Sequence, residues 1–284
     1  MNPKFTKLIL LAAAVSPACA QTLTSAALSN SDVLIYEEFP AGSLVLNQSA
    51  PLLSVLQGST NAAGGNIELF TSSDLPAYDD PAAGGNFALA TPTTLTAGFS
   101  NGDTVILSGL DGQDWFLDAT GSYNTGYGSV NLANLWFSDF LTAMGDQQTG
   151  GPDFITGNEA LLYGSFLNNG GFAQISDPNI SFIETDGSIV DVGLGGFADS
   201  TARVAQLLGV TTLQLQASYA NGIEISEVVL INGKAAYGFD GEDSGVVLDD
   251  GVDSYSATFL VSVPEPSSAL LSVFGLALIA RRRR

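Results

Sequence analysis

The sequence predicts an α+β fold, a β-rich, sandwich-like domain with two or three central helices, flanked by terminal segments of different composition. Short apolar runs separated by Gly, Ser, Asn and Pro fill residues 22–62 and predict strands. Between 131 and 208, apolar residues recur at helical spacing. Past Gly209, apolar and polar residues alternate again, so we expect the domain to finish in strands.

The first half of the domain reads as strands joined by turns. We expect strands at 33–36, 44–46 and 52–56, because each is a short apolar run bounded by turn-forming residues. Residues 104–107 predict a further strand, which a turn at 111–114 follows.

The centre of the chain predicts three helices. The first begins at Asn131 and ends at Gly145, with one apolar face made of Leu132, Leu135, Trp136, Phe140 and Met144. The second runs from 158 to 168, with inward-facing Leu161, Leu162 and Phe166. The third runs from 200 to 208, where Ser200 is placed to cap its start and Gly209 its end.

The last part of the domain predicts strands. A strand at 213–219 has one apolar side that comprises Leu213, Leu215, Ala217 and Tyr219. Asn232-Gly233 is a strong hairpin signal between 224–231 and 235–239. Residues 255–263 alternate cleanly and predict the final strand.

Composition excludes several classes of function. The 284 residues include no His and one Cys, which rules out a His-based catalytic triad, an imidazole metal site and a thiolate zinc cluster. The formal net charge of -21 argues against binding to a nucleic-acid backbone.

The N-terminus carries the three parts of a secretory signal peptide. These are a positive region (Lys4 and Lys7), an apolar stretch (8–15) and small residues at the cleavage positions (Ala18 and Ala20). We expect signal peptidase to remove residues 1–20. A buried N-terminal helix, and a lipoprotein acylated at Cys19, are the alternatives.

The C-terminus combines a triplet, an apolar helix and a basic cluster. They are Pro264, Glu265 and Pro266, then 267–280, then Arg281, Arg282, Arg283 and Arg284. The apolar core, 269–280, is shorter than the roughly 20 residues of a typical transmembrane helix, which suits a transient membrane anchor with cytoplasmic arginines. This order resembles the PEP-CTERM sorting signal, which implies cleavage near the triplet by an exosortase. A plain membrane anchor is the alternative.

Three segments follow from these ends: the signal peptide (1–20), the exported domain (21–263) and the sorting signal (264–284). The exported domain retains Arg203 and Lys234 against 28 acidic residues, so its net charge is near -26. Self-repulsion at that charge weakens a compact state unless salt or divalent cations screen it.

Acidic residues are densest between 240 and 253, where Ca²⁺ is a possible cofactor. The candidate ligands are Asp240, Glu242, Asp243, Asp249, Asp250 and Asp253. An EF-hand is rejected because Gly251 stands where that loop needs a bidentate Glu. Two hypotheses remain, a looser calcium site on β-loops and a solvated acidic loop between two strands.

The body also resembles a group of exported PEP-CTERM proteins. The likeness covers roughly residues 100–284 and rests on the segment 166–181, with Asp114-Trp115-Phe116 and the helical segment 136–141. That group has no known activity, so the resemblance implies none.

Together these features predict a non-enzymatic, exported surface or extracellular-matrix protein. The first alternative is a calcium-dependent module that binds carbohydrate (exopolysaccharide), and the second is a glycoside hydrolase. Four aromatic residues are candidates for stacking on sugars: Trp115, Phe116, Tyr123 and Tyr127. Packing in the core and loops is the other interpretation of those rings.

Overall fold

A computed structural model describes residues 21–39, 43–57, 65–69, 92–186, 188–197, 200–219, 223–249 and 254–264. These residues form a mixed α/β fold with two largely antiparallel sheets and six α-helices. The strands are β1 (Leu23–Leu28), β2 (Leu34–Phe39), β3 (Ser43–Leu46), β4 (Gly65–Glu68), β5 (Thr94–Phe99), β6 (Thr104–Ser108), β7 (Asn179–Thr185), β8 (Ile189–Phe197), β9 (Ile225–Ser226), β10 (Val229–Ile231), β11 (Lys234–Ala236), β12 (Glu242–Asp249) and β13 (Ser254–Pro264). The helices are α1 (Leu52–Leu56), α2 (Gly112–Phe116), α3 (Leu132–Asp146), α4 (Glu159–Asn168), α5 (Thr201–Leu208) and α6 (Thr212–Ser218).

The smaller sheet has the order β1-β5-β6-β10-β11, and its neighbouring strands are antiparallel. Asn232 and Gly233 join β10 to β11 with φ values of 50° and 75°. Positive φ at both positions matches the twist of a hairpin, and Asn-Gly tolerates that conformation well. The predicted hairpin is confirmed, although its strands are shorter than 224–231 and 235–239.

The larger sheet closes on itself. Its strands follow the order β13-β12-β3-β2-β4-β7-β8-β9, and β8 also pairs with β13 from Ile189↔Pro264 to Gly196↔Ala257. β12 and β3 are parallel neighbours, while the other pairs are antiparallel. Seven strands therefore have a neighbour on each side, which protects their edges from pairing with other chains.

One buried cluster takes side chains from both sheets. It includes Leu95 and Leu107 of the smaller sheet, Ile67, Val192 and Val261 of the larger sheet, and Val55 and Leu56 of α1. Burying an aliphatic side chain of this size contributes about 1.5–3 kcal/mol, so this cluster joins the two sheets firmly.

The helices enclose a second cluster, in which aromatic rings dominate. Its buried rings include Trp115, Phe116, Trp136, Phe137, Phe140, Tyr163, Phe166 and Phe172. Trp136 stacks on Phe140 and on Phe166, with ring centroids 5.2 and 5.3 Å apart. Because these rings belong to different helices, the cluster sets how α2, α3 and α4 pack.

The three helices predicted from the 3.6-residue period are present as α3, α4 and α5, and α3 extends one residue beyond Gly145. Two residues that were predicted to face inward do not. Leu135 is 57% exposed and Leu161 is 74% exposed. Each lies beside the buried stripe of its helix, because the stripe advances in steps of three and four residues.

Three further helices replace elements that the sequence predicted as strands or a turn. The segment predicted as a strand at 213–219 forms α6, which ends at Ser218. Its buried Leu215 and Tyr219 are four residues apart, and this spacing fits the period of a strand as well as that of a helix. A capping box between Thr211 and Gln214 selects the helix. Residues 52–56 form α1 after Pro51, which suits the start of a helix.

The predicted turn at 111–114 is the start of α2. The Asp111 side chain accepts hydrogen bonds from the N–H groups of Gln113 and Asp114 at 2.7 and 3.0 Å. The Asp114 carboxylate accepts one from the N–H of Asp111 at 3.0 Å. This capping box stabilises the start of a five-residue helix where the sequence predicted only a turn.

Candidate functional site

The predicted processing sites lie at the two ends of the described fold or beyond them. Gln21, which follows the predicted signal cleavage, donates from its N–H to the carbonyl of Thr185 at 2.8 Å. Pro264 is the last residue of β13 and pairs with Ile189. Residues outside the described ranges are Ala18, Ala20, Glu265, Pro266, 267–280, Arg281, Arg282, Arg283 and Arg284. Among residues 21–264, the parts with a described structure include no helix long and apolar enough to cross a membrane.

The acidic segment is not the loop that the sequence predicted. Residues 242–249 form β12, whose ends pair with β13 at Glu242↔Thr258 and Asp249↔Ser254. The register of this pairing shifts between Asp243 and Leu248, so β12 is not a regular strand throughout.

The structure describes only some of the candidate calcium ligands. Asp240 is exposed, Asp243 lies in β12, and Asp250 and Asp253 lie outside the described ranges. Where side chains are described, the structure places no group of three His, Cys, Asp or Glu that could hold a metal ion. Calcium binding stays a prediction.

The four aromatic candidates divide into a buried pair and an exposed pair. Trp115 and Phe116 are fully buried in the helical cluster, so core packing, and not stacking on sugars, is the interpretation that holds for these two rings. Tyr123 and Tyr127 are each 48% exposed. We call Tyr123 and Tyr127 the tyrosine pair.

Side-chain hydrogen bonds hold the loop 117–131, which carries the tyrosine pair. Asn134 of α3 donates from Nδ2 to the carbonyl of Gly126 at 3.0 Å and accepts at Oδ1 from the N–H of Gly128 at 2.6 Å. Asn131, which caps α3, donates to the carbonyl of Asn124 at 2.7 Å. The loop is therefore tied to the start of α3 on both sides of Tyr127.

The turn before Tyr123 is held in the same way. Asp118 accepts hydrogen bonds at Oδ1 from the N–H groups of Thr120 and Ser122, at 2.8 and 2.9 Å. Leu117 and Tyr123 form an isolated β-bridge across this turn. The turn thus positions Tyr123 through its backbone.

The rings of the tyrosine pair rest on the aromatic core. Tyr123 meets Phe116 with ring centroids 5.7 Å apart, and Tyr127 meets Tyr163 at 5.5 Å. Phe116 and Tyr163 both contact Phe172, at 5.5 and 5.7 Å. Both exposed rings are therefore supported from below by one continuous set of buried rings.

At this surface, neutral tyrosine rings lie beside negatively charged carboxylates. Partial burial raises the pKa of Tyr123, and the nearby charge of Asp111 raises it further. Burial raises the pKa of Tyr163, to which the proximity of Tyr123 also contributes. Hydrogen bonds from Thr120 and the following backbone lower the pKa of Asp118, which favours the ionised carboxylate.

A recess beside α5 was not foreseen from the sequence. Its cavity volume is about 20 Å³, and it is lined by Gln174, Ile175, Arg203, Leu207, Ile225, Ser226 and Glu227. Glu227 is 3% exposed and accepts hydrogen bonds from the backbone N–H and the Nδ2 of Asn179, at 2.5 and 3.2 Å. These bonds stabilise a buried carboxylate and connect the segment after β9 to β7. Glu227 stands among apolar residues in the sequence, and no motif marks it.

Comparisons with known proteins place this chain in no group: no family model, no curated protein and no solved structure matches it.

Proposed function

We propose that this chain is an exported surface or extracellular-matrix protein with a sandwich-like, non-catalytic body. A signal peptide starts its export, and a C-terminal PEP-CTERM signal sorts it through an exosortase. One observation carries the proposal: the Pro-Glu-Pro triplet, the apolar stretch 267–280 and the arginines at 281–284 follow directly on β13, the last described strand, which includes Pro264.

Two features of the composition also support an extracellular role for the body. Residues 21–263 carry a net charge near -26, which favours solubility outside the cell. The signal peptide contains the one Cys of the chain, so the exported body folds without a disulfide of its own. Core packing in the two buried clusters stabilises it instead.

A carbohydrate-binding module remains the first alternative for the activity of the body, with exopolysaccharide as its partner. The half-exposed tyrosine pair favours it, because aromatic rings offer apolar faces next to polar groups. The calcium dependence in that alternative is tested below. A glycoside hydrolase is the second alternative, and turnover on a polysaccharide panel would support it.

Substitution of the tail tests the sorting proposal. The double variant Glu265→Ala, Pro266→Ala leaves Pro264 and its pairing with Ile189 in place. We expect this variant to stay uncut and to accumulate with the membrane in a host that has the exosortase. Cell fractionation and intact-mass measurement of the exported protein give the readout.

The matched control is the double variant Ser267→Ala, Ser268→Ala, which alters the same tail outside the triplet. It should be cut and exported like the unaltered chain. If the Glu265→Ala, Pro266→Ala variant is also cut and exported normally, the sorting proposal is wrong.

A further inference from the structure

We propose that the tyrosine pair is a binding site for neutral polysaccharide that acts without calcium. This deepens the proposed extracellular function, on which it rests for the source of its ligand.

The first step is the geometry of the two rings. Tyr123 and Tyr127 are each 48% exposed, and buried rings support them from below through Phe116 and Tyr163. A pyranose ring has apolar C–H faces and polar edges, so it matches an aromatic face with hydrogen-bonding groups around it.

The second step is the rigidity of the loop. Asn134, Asn131 and Asp118 fix the backbone on both sides of the tyrosine pair, through bonds of 2.6 to 3.0 Å. A site whose loop is already ordered loses less conformational entropy when a ligand binds. This network orders a loop that lacks regular secondary structure and holds two partly apolar rings in water.

The third step is charge, which selects the class of polysaccharide. Asp111 lies close enough to raise the pKa of Tyr123, and Asp118 is in the same loop. The whole exported body adds a net charge near -26. A polyanion such as a uronate polymer would be repelled, so among polysaccharides the site favours a neutral one.

Affinity electrophoresis of the full chain in detergent tests the proposal. Native gels contain hydroxyethylcellulose, mannan or dextran as neutral probes, or alginate as the anionic probe, and each gel is run with EDTA and without it. We expect at least one neutral polymer to retard the chain and alginate not to do so. Tyr123→Ala and Tyr127→Ala should each raise the dissociation constant obtained from the retardation about tenfold or more, as loss of a central aromatic contact does.

Leu213→Ala is the matched control, because Leu213 is a 77% exposed apolar residue on α6, away from the loop. It should bind like the unaltered chain, and the melting temperatures of all variants should show that each is folded. The proposal is overturned if no neutral polymer retards the chain, if alginate does, or if EDTA abolishes binding. Equal affinity of the tyrosine variants and the unaltered chain also overturns it.

A protein partner is the other occupant that this surface would suit. If sedimentation shows that the chain self-associates and Tyr123→Ala abolishes the association, the surface is a protein interface and the proposal fails. Because the full chain is used uncut, failure here leaves the sorting proposal untouched, and failure of sorting leaves this proposal untouched.

Discussion

Replacing Asn134 with Ala tests whether side-chain hydrogen bonds hold the loop that carries the tyrosine pair. Asn134 is 9% exposed and makes bonds to Gly126 and Gly128 at 3.0 and 2.6 Å, with a third to the Asn131 side chain at 2.9 Å. The substitution removes all three and leaves the helical backbone of α3 in place.

The size of the effect follows from these bonds. A typical intramolecular hydrogen bond contributes about 0.5–1.5 kcal/mol, and Gly126 and Gly128 are exposed, so water can replace the lost partner. We therefore expect Asn134→Ala to lower the free energy of unfolding by about 1–3 kcal/mol. A loss of about 2 kcal/mol would lower the melting temperature by about 4–8 °C in a domain of this size.

Thermal melting and hydrogen exchange provide the measurements. In Asn134→Ala, the Gly128 amide should lose protection, because its acceptor is the Asn134 side chain. Asn101→Ala is the control, since Asn101 accepts a hydrogen bond from the Asp103 N–H at 2.9 Å in an exposed turn. The control should change stability by no more than about 0.5 kcal/mol. Unchanged protection at Gly128 in Asn134→Ala would refute the reasoning.

Three further predictions concern calcium, processing and pH. Millimolar Ca²⁺ should raise the melting temperature more than Na⁺ does at matched ionic strength. At a hundredfold excess over its dissociation constant, bound Ca²⁺ would raise the free energy of unfolding by about 2.7 kcal/mol. Equal shifts in melting temperature would mean simple screening and no site. Mass spectrometry of exported protein should find Gln21 at the N-terminus, whereas an intact Met1 would contradict the signal peptide and a lipidated Cys19 would support the lipoprotein alternative. Burial, together with a 2.7 Å hydrogen bond to Asp139, raises the pKa of Tyr237 in the folded state. Its contribution to stability is therefore fully present below about pH 10, the usual pKa of Tyr, and is lost as the pH rises through the folded pKa. Between pH 8 and 12, the melting temperature should fall less steeply with rising pH in Tyr237→Phe than in the unaltered chain. An identical fall in the two proteins would contradict this assignment.

Local signals account for the elements that the sequence predicted correctly. The Asn131 cap and the Asn232-Gly233 turn each act within a few residues, so α3 and the β10–β11 hairpin could be recognised without the fold. The apolar alternation of 255–263 likewise matches β13, where Phe259 is buried and Leu260 is exposed.

Ambiguous periods account for the elements that were wrong. The buried apolar residues of 213–219, Leu215 and Tyr219, are four positions apart, a spacing that a strand and a helix share. In the acidic segment, the charges of 242–249 favoured a loop, yet pairing with β13 at Glu242 and Asp249 makes it a strand. On its other side β12 pairs with β3 at Val247↔Ser43, a partner distant in sequence that a local pattern does not contain.

For the candidate site, the sequence by itself determined which residue types were available: no His, many acids, and aromatic residues near α2. It could not tell Trp115 and Phe116, which are fully buried, from Tyr123 and Tyr127, which are half exposed. Only the tertiary structure decided this, because the exposure of a ring depends on partners distant in sequence, such as the buried rings of α3 and α4. The closure of the larger sheet was decided in the same way, because β3 and β12 pair at Ser43↔Val247 across most of the chain.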